Sequence, residues 1–393
     1  MMNRARNADS VALIGAIIGV PSAVIGWWTL KANRLVNGTS INLHDVYGWW
    51  LPLLLVALWA LCLALNVTRR DRRTAIVTGL AANAVLIMAV ILSGLAATKL
   101  LVGEPAPTRV SLGLGFWLTL AACYVVIFAA RQRLTGRTAL FQGISWGGAL
   151  FCLVWLFTGQ LDHLSVMVEY AGRSGRFWQE FLHHIELVGI SVSVGTILGV
   201  ALGFWAVRSR AAERPVFFIS NITQTIPSLA LFGILIAPLS ALSFSYPWLR
   251  DLGVRGVGDA PAVIALIIYS LLPIVRNTYT GLKNVDPAIV NAGAGMGMSR
   301  WQLLRRIETP LAAPLILEGV RTAAVQSVGL TAVAALIGAG GLGWFIFQGL
   351  GQAASDLIIL GTIPILFLAL VVDGLMRLAV RAATPKGLAG RPA

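Results

Sequence analysis

Two pairs of opposite charges stand inside long apolar runs, Glu318 with Arg321 and Asp373 with Arg377, and these are the residues whose spacing could do ionic chemistry. Three and four residues apart, the members of each pair share a helix face, so they either neutralise one another or serve as steps of a proton relay. His183 and His184 are adjacent, which turns them about 100° apart on a helix, a poor geometry for one metal ion. Cys62, Cys123 and Cys152 fall in apolar runs with no Cys-x-x-Cys or Cys/His ligand spacing, so neither a metal site nor a disulfide framework is indicated. No phosphate-cradling Gly-x-x-x-x-Gly-Lys-Ser/Thr, nucleophile elbow or His-Glu-x-x-His motif occurs. The chain is therefore expected to catalyse nothing by itself and to bind no cofactor.

The elements that must hold these residues are membrane helices. Hydrophobic residues make up 57% of the sequence and charged residues 12%, with a mean hydropathy of +0.81. The apolar residues cluster into runs of roughly 20, the length of helix that crosses about 30 Å of hydrocarbon, and they do not alternate as barrel strands do. The class is an all-α polytopic membrane protein with ten spans, at 11–30, 47–66, 74–98, 111–130, 140–159, 185–207, 215–241, 260–280, 311–337 and 356–380. The first run follows Arg4 and Arg6 as a signal peptide would. It is long for one and ends in Trp27 and Trp28, so it reads as a retained span.

The formal charge of +14 does not point to nucleic acid, because Lys and Arg sit in short clusters between the runs. Alternate loops divide them unequally. One side carries Arg4, Arg6, Arg69, Arg70, Arg72, Arg73, Arg131, Arg133, Arg137, Arg208, Arg210, Arg214, Lys283, Arg300, Arg305, Arg306, Arg377, Arg381, Lys386 and Arg391. The other carries Lys31, Arg34, Lys99, Arg109, Arg173, Arg176, Arg250 and Arg255. Since translocation disfavours basic loops, both termini and the loop 281–310 are expected in the cytoplasm. Trp27, Trp28, Trp49, Trp50 and Trp178 fall near span ends and fit an interfacial belt; a cage for a quaternary ammonium is the sharper alternative.

Four regions follow: a five-span part, 1–160, with no assigned role; an amphipathic connection on the outer side, 161–184, with Tyr170, Phe177, Trp178 and the two histidines; a second five-span part, 185–382; and a cytoplasmic tail, 383–393. The second part holds most of the patterned polar sequence: QTIPSLALFG at 224–233, YSLLPIVRNT at 269–278 and IGAGGLG at 337–343. Proline and glycine within a span free backbone groups that need other partners. Gln224, Thr225, Pro227, Ser228, Tyr269, Pro273, Gly338, Gly340 and Gly341 are thus candidates for a translocation path, or else mark kinks that shape packing.

Between two spans lies DPAIVNAGAGMGMSRWQLLRRIETPLAAP, 286–314, too polar to cross yet bearing an apolar stripe of Met296, Met298, Trp301, Leu304 and Ile307. Pro287 suits a helix start, and Gly297 a tight turn between two short helices. Such a loop fits a groove on a soluble partner, or an anionic lipid surface through Arg300, Arg305 and Arg306.

This segment resembles the coupling loop of the inner-membrane permeases of binding-protein-dependent ABC importers, which runs Glu-Ala-Ala, three residues, Gly, and later Leu-Pro. The matching positions are Asn291, Ala292, Gly293, Gly297, Thr309 and Pro310, with Asn291 in place of the acid, Gly293 of an alanine and Thr309 of a leucine. Through the three polar motifs, 181–382 resembles the permeases for glycine betaine, choline and proline-type osmoprotectants. The N-terminal spans resemble an extended subgroup, which shares the LGLGFW run at 112–117. The resemblance implies a type I importer permease core and a coupling loop that also uses Met298 and Trp301. It implies a separate ABC ATPase holding ATP and magnesium, an external or periplasmic solute-binding protein, a second permease copy or a related permease, and a place among the lipids of the cell's inner membrane. The competing classes are an ion-coupled secondary transporter and a membrane-embedded enzyme or lipid-handling scaffold.

Overall fold

The computed structural model describes residues 9–68, 71–134 and 139–385 and divides into two compact units, 1–172 and 173–393. Arg4, Arg6, Arg69, Arg70, Arg137, Lys386 and Arg391, used above for orientation, and most of the tail 383–393 lie outside the described residues.

The first unit comprises α1 (Ser10–Ser22), β1 (Trp28–Lys31), β2 (Thr39–Ile41), α2 (Leu43–Tyr47), α3 (Trp50–Thr68), α4 (Arg72–Leu100), β3 (Arg109–Leu112), α5 (Leu114–Arg133), α6 (Ala139–Leu156) and α7 (Ser165–Ala171). The expected first span, 11–30, is corrected here. Its 13-residue helix ends at Ser22 and is about 20 Å long, short of the roughly 30 Å of a bilayer core. Beyond it the chain turns into β1, which pairs antiparallel with both β2 and β3, Trp28 opposite Ile41 and Leu112. Trp27 and Trp28 are not interfacial either, since both are wholly buried. The Trp27 Nε1 donates to the Ser22 carbonyl at 2.6 Å, and its ring meets Phe116 nearly edge-on at 6.3 Å between centroids. These rings fill a core rather than form a cage, whereas Trp49, Trp50 and Trp178 are exposed as a belt requires. At the start of α1, Asp9 accepts from the backbone N–H groups of Val11 and Ala12, at 3.0 and 3.1 Å, and pairs with Arg133 at the end of α5.

The second unit comprises α8 (Ser174–Arg208), α9 (Arg210–Thr225), α10 (Ser228–Ser245), α11 (Trp248–Asp251), α12 (Asp259–Lys283), α13 (Pro287–Gly295), α14 (Arg300–Leu303), a π turn (Leu304–Glu308), α15 (Thr309–Ala334), a 3-10 turn (Ala335–Ile337), α16 (Gly343–Gly351) and α17 (Ser355–Ala383). Among the described residues nine helices are long and apolar enough to cross a membrane, with the shorter apolar α1 beside them: α3, α4, α5 and α6 in the first unit, and α8, α10, α12, Arg300–Ile337 and α17 in the second.

Lipid supplies no hydrophobic drive between helices, so close packing must hold them, and small residues permit it. On α8, Gly195, Gly199 and Gly203 recur every fourth residue and face Ser270, Ile274 and Thr278, spaced alike on α12. A Cβ added at Gly199 would stand 2.8 Å from Ile274, and one at Gly203 would stand 2.6 Å from Thr278. On its other side α12 meets α15, where Gly319 lies against Asn277 and Pro273. The two charged pairs of the apolar runs form one chain here: Arg321 donates to Glu318 at 2.5 Å and to Asp373 at 2.6 Å, and Arg377 pairs with Asp373 at 2.6 Å. Two cations and two anions cancel, as mutual neutralisation requires.

Candidate coupling knob and translocation path

The loop 286–308 folds as a two-helix knob. Asp286 caps α13 by accepting from the Ala288 N–H at 2.8 Å, and Pro287 takes the first turn, where its missing donor costs nothing. Gly297 turns the chain with φ +83°, a left-handed conformation that disfavours any side chain. Ser299 and Gln302 then form a reciprocal capping box that starts α14. Gly293 is where the arms touch: a Cβ there would meet Ile307 at 2.6 Å, Leu303 at 2.8 Å and the Met298 sulfur at 3.4 Å.

The sequence-derived residues thus separate. Gly293 and the half-buried Met298 lie where the two arms of the knob meet. Met296 and Trp301 are 72% and 65% exposed, and Ile289 is exposed beside them. Asn291 and Ala292 are exposed in the middle of α13, so Asn291 caps nothing; Asp286 has that role. Pro310 stands in the first turn of α15. The α14 chain runs into α15 through the π turn, and at the junction Glu308 pairs with Arg208 at the end of α8. Close by in sequence, Lys283 donates to the Tyr279 hydroxyl, which donates to Glu213 of α9 at 2.7 Å. Sequence reasoning missed both fastenings. The signal available was an acid, Glu308, just after the basic pair Arg305 and Arg306.

The expected span 215–241 is two helices, parted where Ile226 and Pro227 are extended, with ψ of 127° and 139°. Pro273 in α12 has no N–H, so the carbonyl of Tyr269, four residues earlier, loses its helical donor. Gln224 donates its side-chain amide to that carbonyl at 2.7 Å. In return the Tyr269 hydroxyl donates to the Ile226 carbonyl at the break. The two proline-bearing motifs satisfy one another's freed backbone, which is what an interrupted helix in a membrane requires. Thr225 instead donates back to Ile222 within α9, at 2.7 Å, and Ser228 opens α10.

Gly338, Gly340 and Gly341 all have positive φ, of 83°, 69° and 73°, and build a loop between the 3-10 turn and α16. This loop shares an apolar cluster with the break, formed by Ile337, Ala339, Phe232, Leu231 and Tyr269. His184 is wholly buried. Its Nδ1 accepts from the Leu342 N–H at 3.2 Å, so the proton is on Nε2, which donates to the Val328 carbonyl at 3.1 Å. His183 reaches the Ala339 carbonyl at 3.0 Å and Asp259 at 3.1 Å. The pair fastens the glycine loop, and adjacency on α8, poor for a metal, is what lets two rings reach two parts of one loop.

Long apolar helices, satisfied breaks within them and a polar knob between two of them define a polytopic membrane permease. Residues 195–384 match the binding-protein-dependent transport system inner membrane component family, and residues 6–167 match ABC transporter permease YehY, N-terminal domain. The osmoprotectant import permease protein OsmW of Salmonella typhimurium is 39% identical over 228 residues, 58% of this chain and 100% of the relative. The glycine betaine/carnitine/choline transport system permease protein OpuCB of Bacillus subtilis is 40% identical over 207 residues, 53% of this chain and 88% of the relative. A solved chain of the MetNI methionine ABC transporter, in an inward-facing conformation, is 21% identical with a TM-score of 0.46, covering 53% of this chain and 96% of that one. The chain belongs to the family of binding-protein-dependent transport inner membrane components, the permeases of ABC transporters.

Proposed function

We propose that this permease imports a compatible solute, glycine betaine or a related quaternary ammonium or proline-type osmoprotectant, driven by ATP hydrolysis on a separate ATPase. The observation that carries the solute class is 39% identity across the full length of an osmoprotectant import permease. The neutral charge chain of Glu318, Arg321, Asp373 and Arg377 agrees with an uncharged or zwitterionic cargo. It leaves no bare carboxylate in that chain for an ion-coupled cycle.

In this reading the knob of α13 and α14 enters a groove on the ATPase, which holds ATP and magnesium. Met296 and Trp301 are the buried anchors, Asn291 and Ala292 flank them, and Arg300, Arg305 and Arg306 form the rim. Motion passes through Gly297, the π turn, Pro310 and the Arg208–Glu308 pair into α8 and α15. Gln224, Thr225, Pro227, Ser228, Tyr269 and Pro273 border the path, and the loop of Gly338, Gly340 and Gly341 lies at its outer end. A second permease, identical or related, completes the path, and an external binding protein delivers the solute to it. Residues 185–382 act as the permease core, 161–184 as the outer connection and 1–160 as an accessory region. Basic residues at Arg72, Arg73, Arg131, Arg208, Arg210, Arg300, Arg305 and Arg377 support cytoplasmic termini in a cell's inner membrane.

The test is purification of the complex from its native membrane. A nucleotide-binding subunit should co-purify, and its ATP hydrolysis should rise when binding protein and betaine are added together. A preparation with no such subunit, from membranes whose uptake survives ATP depletion, would refute the proposal.

A further inference from the structure

The helix α12 is enclosed on three sides. Ser270, Ile274 and Thr278 meet the glycines of α8; Asn277 and Gly281 meet α15; Val275 and Tyr279 meet α9. Towards its start α10 covers the remaining face at Ala262, Ala265 and Tyr269. Past the α9–α10 break that cover ends, and the open face carries Leu272, Arg276, Thr280 and Lys283, a row at helical spacing.

Arg276 is exposed, and among the described residues it has no hydrogen bond or ion pair. Its neighbours differ: Arg208, Lys283, Arg321 and Arg377 all have partners. An unpaired guanidinium within a membrane span is costly against hydrocarbon and marks a water-filled path or a ligand. The flanking surface is mixed, polar side chains standing among the exposed Phe218, Ile219 and Ile222 of α9. Asn221 and Thr225 are exposed on α9 and Thr322 on α15, whereas the exposed face of α17 is Ile363, Leu366, Phe367 and Leu370.

We propose that Arg276 binds the carboxylate of the zwitterionic solute as it passes the inner half of the path. This rests on the proposed function and names the solute's handle. A quaternary ammonium carboxylate has no donor to offer, so its two oxygens are what a protein can hold by hydrogen bonds, and the planar guanidinium matches them with two parallel N–H groups. The Arg276 site is open and offers one charged side chain, which suits a step in passage rather than a tight store. A lipid phosphate offers similar oxygens, and Arg276 lies about 10 Å of helix rise from Lys283, within reach of headgroups by snorkelling.

Two arms separate these sources. In vesicles holding the complete complex, Arg276→Gln should lower betaine uptake at least about tenfold, the loss of one charge-assisted contact, while Arg276→Lys keeps most of it. With Cys62, Cys123 and Cys152 replaced by alanine, the Arg276→Cys thiol should react with a charged, membrane-impermeant methanethiosulfonate added from the cytoplasmic side, and betaine should slow that reaction. Uptake unchanged by Arg276→Gln overturns the proposal, as does a thiol that reacts only with a lipid-soluble maleimide, the result for a residue that serves headgroups. If the unaltered complex moves no betaine, the proposed function falls and the carboxylate assignment with it. If it moves betaine and either arm fails, this inference alone falls.

Discussion

Replacing Trp301 by alanine removes the largest exposed apolar side chain of the knob while touching nothing in its core. Trp301 is 65% exposed. A tryptophan offers up to ~250 Å², so about 160 Å² is free for a partner, and its burial at ~25 cal/mol per Å² is worth at most about 4 kcal/mol. Anchors of this kind measured in interfaces cost about 2–4 kcal/mol on truncation, so the ATPase subunit should bind roughly 30- to 1000-fold more weakly. The assay is a titration of immobilised, detergent-solubilised permease with the purified ATPase subunit, read as Kd. The melting temperature of the variant should stay near that of the unaltered chain, because the ring is not part of the contact between Gly293, Leu303 and Ile307. Affinity within about threefold of the unaltered chain would show that the knob does not dock through this residue, and the assignment of α13 and α14 as the coupling element would lose its anchor.

Gly297→Val adds a branched side chain where φ is +83° and nothing lies within 4 Å, so its cost is backbone strain, about 1–2 kcal/mol. The chain should insert and bind the ATPase but take up less solute per ATP hydrolysed; an unchanged ratio counts against a hinge there. Gln224→Leu and Tyr269→Phe each orphan a carbonyl at about 1–3 kcal/mol, and the double variant should lose less than the sum, because both bonds tie the same two segments. Additive losses in melting experiments would mean the two bonds act independently. For Asp9, burial alone would raise the carboxyl's pKa, but the Ala12 N–H and the Arg133 guanidinium more than offset this and hold it below its ordinary value. The folded value is the lower one, so the stabilisation is complete above the unfolded carboxylate pKa and is lost as pH falls through the folded one. A scan below about pH 4 should therefore destabilise the unaltered chain more than Asp9→Asn, which has already lost the charge; parallel curves would contradict this.

Most of the architecture was legible because an apolar run long enough to cross a bilayer is seldom anything but a membrane helix. The failures were local. The first run looked like a span since Trp27 and Trp28 continue its apolar character, yet β1 pairing and an aromatic core claimed them, and hydropathy does not distinguish lipid from protein interior. The run 215–241 concealed a break that Pro227 signals, and the partner of that break, Tyr269, is visible only when α12 is placed beside α9. In the knob, the proline start and glycine turn were readable from chemistry that acts within a few residues. Whether Met298 faced outward was not, because it depends on Gly293 across the turn. Arg276 lay within a recognised motif, and its isolation emerged only once Arg208, Lys283, Arg321 and Arg377 had found partners.

The central claim is that ATP spent by a separate subunit drives solute through this chain, and uptake in proteoliposomes tests it most directly. Permease, ATPase and binding protein are reconstituted together, ATP is supplied on the side of the knob, and radiolabelled glycine betaine is followed against its gradient. Accumulation should require ATP, vanish when the ATPase is omitted, and persist when an ionophore collapses the proton and sodium gradients. Accumulation that ignores ATP and stops with the ionophore would contradict the account.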